Sequence, residues 1–249
     1  MILELDCGNS LIKWRVLSKI DGVVASGIAH SDDELLVTLE SYESLSLNHG
    51  RLVSVRSDLE TTGLIERLDS TFGFSCQQAK PVASFLGVKN GYSDYERLGM
   101  DRWLALLGGF KLAGNKACVV IDLGTAVTSD FVDQTGQHAG GFICPGIPLM
   151  RRELQTHTRR IRYNPELEAT NGHPLPGRNT MHAVEGGCVY MLRGFVRTQY
   201  DLALELLGAD FAVFLTGGDA ELVKDVIPTS RVVPDLVFDG LALACPVDS

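Results

Sequence analysis

Two short segments of this chain repeat one pattern. LELDCGNSLIKW near the N-terminus and VVIDLGTAVTSDF near the middle each run an apolar stretch into Asp-x-Gly and out into a second extended stretch. Residues 2–5 and 11–17 read as the first strand pair, residues 117–121 and 126–132 as the second. A strand–turn–strand unit that recurs this way predicts two halves built alike. Between and after the repeats, strands mix with helices. The pattern predicts a strand at 52–55, an amphipathic helix at 59–72 and a helix over 101–113 with Asp101 at or before its N-terminus. It predicts further helices within 145–162 and over 180–196, Thr180 being the candidate N-cap. A strand at 211–215 runs into Gly217-Gly218-Asp219 and a helix from Ala220. Residues 91–100 read as a loop and 165–179 as an irregular Gly/Pro/Asn-rich stretch. The class is α/β, with a boundary near residue 115 that gives domains 1–115 and 116–249.

Composition narrows the function. At 249 residues, 45% hydrophobic and 21% charged, each half is able to bury a core. With 22 Lys+Arg against 31 Asp+Glu the net charge is −9, which disfavours general binding to nucleic acid or an anionic membrane. No run approaches the roughly 18 apolar residues of a membrane span, and MILELDCGNS lacks the basic and apolar regions of a secretory signal. The six cysteines, Cys7, Cys76, Cys118, Cys144, Cys188 and Cys245, have neither zinc-type spacing nor a disulfide-dense pattern, so reduced thiols and a cytoplasmic location are expected.

The repeated turns are where chemistry can sit. Asp6 and Asp122 each end a buried strand beside a glycine that lets the backbone turn sharply. Successive N–H groups in such a turn form an anion nest, and the neighbouring carboxylate can hold a cation or its waters. Asn9, Thr125 and Thr128 add neutral hydrogen-bonding groups, and Lys13 on the returning strand can reach a phosphate oxygen. One Asp-x-Gly alone is an ordinary β-turn; two at equivalent points favour a nucleotide site. Neither the G-x-x-x-x-G-K-[ST] loop nor the G-x-G-x-x-G fingerprint is present.

A third stretch, Gly91-Tyr92 through Leu98-Gly99-Met100-Asp101-Arg102, sets an aromatic, a carboxylate and a guanidinium within a dozen residues. Asp101 could accept a proton from an alcohol and Arg102 could hold an anionic group; equally, Asp101 could cap the next helix beside an exposed arginine. Arg151, Arg152, Arg159, Arg160 and Arg162 read as a solvated helix face. No HExxH or G-x-S-x-G motif points to zinc or hydrolase chemistry.

Taken in order, these segments resemble the type III pantothenate kinases of bacterial coenzyme A biosynthesis. Asp6-Cys7-Gly8-Asn9 through Lys13-Trp14 is similar to that family's first phosphate motif and Asp122-Leu123-Gly124-Thr125 to the second. The segment from Gly91-Tyr92 to Arg102-Trp103 resembles its pantothenate-binding stretch, and Gly140-Gly141-Phe142-Ile143, Pro145-Gly146 and Thr216-Gly217-Gly218-Asp219-Ala220 fit the remaining motifs. The family's substrate motif usually carries a proline three positions after the tyrosine, where this chain has Tyr95.

The resemblance implies two similar actin-like ATPase (ribonuclease H-like) domains with a nucleotide cleft between them, and ATP-dependent phosphorylation of the primary hydroxyl of pantothenate. It implies Asp101 as catalytic base, and a substrate pocket of Tyr92, Gly99, Met100, Asp101, Arg102 and Thr180. ATP would be held by Asp6, Cys7, Gly8, Asn9, Ser10, Leu11, Ile12, Lys13 and Thr125, with Mg2+ near Asp6. A monovalent cation, K+ or NH4+, would be bound by Asp122. The expected assembly is a homodimer in which the partner subunit helps to close the pocket, with Thr180 a candidate for that contact and the subunit that supplies it left open.

Overall fold

The structure is a computed structural model that describes residues 1–42, 45–162 and 175–247. The chain divides into two units, Met1–Lys111 joined by the chain from Asp235, and Leu112–Pro234.

In the first unit the chain runs β1 (Ile2–Cys7), β2 (Ile12–Ser18), β3 (Gly22–Ala29), α1 (Asp32–Glu40), β4 (His49–Ser54), α2 (Asp58–Phe72) and β5 (Cys76–Gln78). A small hairpin of β6 (Ser84–Phe85) and β7 (Val88–Lys89) and a 3-10 turn at Tyr95–Arg97 lead to α3 (Met100–Leu112). The sheet order is β3-β2-β1-β4-β5. The first three strands pair antiparallel, and β4 and β5 add in parallel. Leu3, Leu5, Ile12, Trp14 and Val16 pack one face against Leu35, Leu39, Leu64 and Leu68 of α1 and α2. Local chemistry fixes the helix ends. Ser31 caps α1, Ser57 and Glu60 form a reciprocal capping box on α2, and left-handed Gly73 closes α2.

The second unit repeats the plan. Its elements are β8 (Cys118–Leu123), β9 (Ala126–Val132), β10 (His138–Pro145), α4 (Ile147–His157), α5 (Thr180–Leu207), β11 (Ala212–Thr216) and β12 (Arg231–Val232). The order β10-β9-β8-β11-β12 reproduces the first sheet strand for strand, again with three antiparallel and two parallel members. Val119, Ile121, Leu123, Val127 and Phe131 meet Val184, Cys188, Leu192 and Val196 of α5. Two buried polar pairs are satisfied inside this unit, Ser129 to Gln199 at 2.8 Å and His138 to Asp130 at 2.9 Å.

The last helix, α6 (Leu236–Ala244), belongs to the first unit, an arrangement that a single boundary near residue 115 does not contain. Close backbone approach is one reason. Gly108 of α3 and Gly240 of α6 face each other's helices, and a Cβ at Gly240 would run into the Leu104 carbonyl. A buried ionic network is the other. Glu4 is fully buried on β1 and accepts from both Arg15 and Arg51, the latter at 2.7 Å from Nε. Arg15 continues to Asp235 at 3.0 Å and lies over the Phe238 ring at 4.7 Å. Arg51 donates to the Cys245 carbonyl at 3.0 Å. Two arginines on one buried carboxylate thus fasten the C-terminal helix to the first sheet.

Two sequence expectations are corrected here. The N-cap of α5 is Asn179, whose Oδ1 accepts from the His182 N–H at 2.8 Å; Thr180 is the first helical residue, because the asparagine side chain reaches the orphan donor first. No regular helix follows Asp219. The chain makes one 3-10 turn at Ala220–Leu222, and Pro228 together with the buried Val223 and Ile227 keeps the next residues in successive turns. Of the irregular stretch 165–179, residues 165–174 lie outside the described residues. All six cysteines are free thiols, and burial pushes those of Cys7, Cys76 and Cys118 up to about 12.

Candidate active site

The first hairpin places its two charged residues opposite each other. Asp6 pairs with Lys13 in the β1–β2 register, one residue short of the turn. The Gly8 N–H closes that turn onto the Leu11 carbonyl at 3.0 Å, leaving Asn9 and Ser10 exposed. The side chains of Cys7 and Ile12 are buried in the core, so from those positions only the backbone can reach a ligand. Leu11 is half-buried beside them. Arg56 buttresses the turn from beneath, donating to the Gly8 carbonyl at 3.1 Å and to Asp32 at 2.7 Å. Nothing in the local sequence around Arg56 announced that role, since it acts across 48 residues of chain.

The second hairpin has the same frame with different side chains. Asp122 is flanked by Thr128 on β9 and Thr216 on β11, so a threonine stands where the first hairpin has its lysine. Thr125 is exposed at the turn, and its carbonyl accepts from the Gly146 N–H at 3.0 Å. Gly146 has no room for a side chain, because a Cβ there would meet the Gly124 and Thr125 carbonyls. Gly217, at φ +87°, presses its backbone against Asp122, and a Cβ would sit 2.5 Å from Asp122 Oδ1. Gly217→Ala combines backbone strain of about 1–3 kcal/mol with displacement of that carboxylate. The variant is expected to lower the thermal midpoint, as read by melting curves.

Asp219, on the same glycine-rich turn, donates its N–H to the Leu123 carbonyl at 3.0 Å. Burial raises its carboxyl pKa, with the Arg151 charge opposing. Arg151 is half-buried and ion-paired with Glu185, which corrects its assignment to a solvated face. Helical periodicity separates it from exposed Arg152 on α4, and Arg159 and Arg160 lie exposed beyond the end of that helix. Arg162 is exposed but turns back onto the carbonyls of Thr158 and Ile161, both at 2.7 Å.

The aromatic stretch ends at the start of α3. Gly99 leaves room for the Asp101 carboxylate, which would lie 2.7 Å from a Cβ at that position. Asp101 sits in the first helical turn and accepts the Arg102 N–H at 2.8 Å. Arg102 is not the exposed partner of a capping aspartate. It is 6% exposed, donates to the Tyr92 hydroxyl at 2.8 Å, and has its guanidinium 5.7 Å from the Tyr92 ring centre. Met100 is buried beside it. The structure therefore brings Tyr92, Gly99, Met100, Asp101 and Arg102 together in the first unit, while Thr180 starts α5 in the second. A carboxylate beside a tethered guanidinium is suited to orient a hydroxyl and hold an anion.

Comparison with known proteins shows the family. The family model described as type III pantothenate kinase matches residues 2–202. The chain belongs to the type III pantothenate kinases. A type III pantothenate kinase of Pseudomonas paraeruginosa is 59% identical over the whole of both chains. One of Pseudomonas fluorescens is 58% identical over 99% of this chain and all of its own. Among solved structures, a Baf family transcriptional activator from Campylobacter jejuni superposes with a TM-score of 0.60 at 21% identity, covering 96% of this chain and 94% of its own. A 2-dehydro-3-deoxygalactonokinase protein from Sinorhizobium meliloti gives 0.55 at 12% identity, with 98% of each chain covered. At those identities the likeness shows the fold alone, that of the actin-like ATPases and sugar kinases. This type III pantothenate kinase is an enzyme that phosphorylates pantothenate in coenzyme A biosynthesis, and it uses ATP with a divalent metal ion. Among the described residues, no helix is long and apolar enough to cross a membrane.

Proposed function

We propose that the primary hydroxyl of pantothenate is phosphorylated with Asp101 as catalytic base and Arg102 and Tyr92 holding the vitamin. The observation that carries this is the Tyr92–Arg102 tether at 2.8 Å next to the Asp101 carboxylate. A carboxylate is too weak a base to strip an alcohol of its proton beforehand. In a loose phosphoryl-transfer transition state the proton leaves late, so Asp101 mainly aims the attacking oxygen. Gly99 and Met100 line the same pocket, and Thr180 closes it from the partner protomer of a homodimer. Exposed Tyr190 and Met191 on α5 support self-association.

The nucleotide is held by the turn from Asp6 to Lys13 and by Thr125, with backbone N–H groups and the Lys13 ammonium meeting phosphate oxygens. Mg2+ fits this setting. Among the described residues there is no cluster of three or more metal-ligating side chains. Such an ion is then held chiefly by ATP phosphates and water, with Asp6 near it. A monovalent cation, K+ or NH4+, fits beside Asp122, where one carboxylate and neutral oxygen groups suit a weakly charged ion. When bound, these ions neutralise phosphate charge. The expected location is cytoplasmic.

The test is an acceptor panel scored by ADP release. Pantothenate is expected to be turned over in K+ buffer, and glucose and N-acetylmannosamine to fail. Turnover of a sugar without turnover of pantothenate would reject the assignment of the Tyr92–Arg102 pocket. Equal rates in Na+ and K+ would reject the ion at Asp122.

A further inference from the structure

The substrate loop lacks the proline usual at position 95, yet its start is held by one side chain. Asn90 Oδ1 accepts the Tyr92 N–H at 3.0 Å, and Asn90 Nδ2 donates to the Tyr95 carbonyl at 3.3 Å. The Asn90 N–H donates to the Ala83 carbonyl at 2.9 Å, which ties the same residue to the base of the β6–β7 hairpin. One carboxamide therefore spans residues 92 to 95, while its backbone closes the base of the hairpin that leads into the loop. From Tyr92 the connection continues through the hydroxyl to Arg102, and Arg102 adjoins Asp101.

We propose that Asn90 is a positioning residue that presets the substrate loop, supplying by a side-chain clasp the rigidity that proline would supply covalently. The inference rests on the reading of Tyr92 and Arg102 as pantothenate-binding residues. A loop held in its bound shape loses less entropy when substrate arrives, so the clasp acts on substrate affinity more than on the chemical step.

The backbone at position 95 is already suited to the alternative solution. Tyr95 is the first residue of the 3-10 turn, where a missing N–H costs least. Asp94 before it is extended at φ −112°, ψ 94°, on the β side that a following proline favours but short in ψ of the usual range, which starts near about +120°. Tyr95→Pro therefore asks for a ψ opening of about 25° at Asp94 and no change of backbone region, so one device can be exchanged for the other.

The experiment is a kinetic cycle on the full-length enzyme with pantothenate varied at saturating ATP, each variant first checked by its melting curve. Asn90→Ala is expected to raise the pantothenate KM about tenfold, with kcat and the ATP KM changed by less than about twofold. Tyr95→Pro alone should change little, and Tyr95→Pro combined with Asn90→Ala should recover most of the loss. Asn90→Asp provides a second route should the alanine variant not fold. It keeps the acceptor for Tyr92 but sets a carboxylate against the Tyr95 carbonyl, and it should raise the same KM.

An unchanged pantothenate KM in folded Asn90→Ala, alongside a raised KM in Arg102→Lys, would overturn the clasp and leave the pocket assignment standing. No change in either variant would overturn both. Equal losses in kcat and in both KM values, without rescue by Tyr95→Pro, would make Asn90 a general stabilising residue and reject the proposal.

Discussion

Asp101→Asn is expected to lose about a hundred- to ten-thousandfold in kcat while binding ATP as before. The substitution isolates chemistry from folding. Asparagine keeps the shape that Gly99 accommodates, and its Oδ1 can still accept the Arg102 N–H that Asp101 now accepts at 2.8 Å. The asparagine cannot take the proton that leaves the hydroxyl as the phosphoryl group arrives. Because the proton leaves late in a loose transition state, much of the rate acceleration comes from charge neutralisation around the phosphates and survives the change. The check is steady-state ADP release together with nucleotide titration by calorimetry. A folded variant with near-normal turnover would remove Asp101 from the mechanism.

The second large effect concerns stability. Glu4→Gln is expected to cost about 3–5 kcal/mol, because it leaves two buried guanidinium groups without the carboxylate they share. Arg15 keeps Asp235 and Asp239, at 3.0 and 3.7 Å. Arg51 loses its anionic partner and retains main-chain carbonyls of the C-terminal helix. The loss should therefore fall mainly on the docking of α6, so that residues 235–247 gain amide exchange before the rest of the first unit. Urea denaturation and hydrogen exchange read the two parts. An unfolding free energy within about 1 kcal/mol of the parent would show that the network does not hold the helix.

That network also marks where the sequence stops being readable. The duplicated strand–Asp-x-Gly–strand units were legible because they are local, and a two-residue side-chain period flanking a glycine turn has few other solutions. The two sheets follow from them with the same strand order. The edge strand β3 and the helix α6 were not read, since neither carries a distinctive local pattern. What fixes α6 is a contact between Gly108 and the Leu236 region, and charges at 4, 15 and 51 meeting residues near 240. Arg15 and Asp235 are 220 residues apart, and no periodicity links them.

The candidate site divides in the same way. The turn residues and the Tyr92–Arg102 stretch stand out in sequence because aromatic, carboxylate and guanidinium groups are close along the chain. Their supports do not stand out. Arg56 under the first turn, Gly217 against Asp122, and Arg151 with Glu185 act between elements. A basic residue in a run of arginines gives no local sign that it alone turns inward.

The most direct measurement is product analysis after incubating the purified chain with ATP, Mg2+ and pantothenate in K+ buffer. The predicted result is pantothenate carrying one added phosphoryl group as a phosphomonoester on its primary hydroxyl, seen by mass and phosphorus NMR, with one ADP formed per product. Unmodified pantothenate recovered from folded protein, or ADP formed equally without pantothenate, would contradict the account.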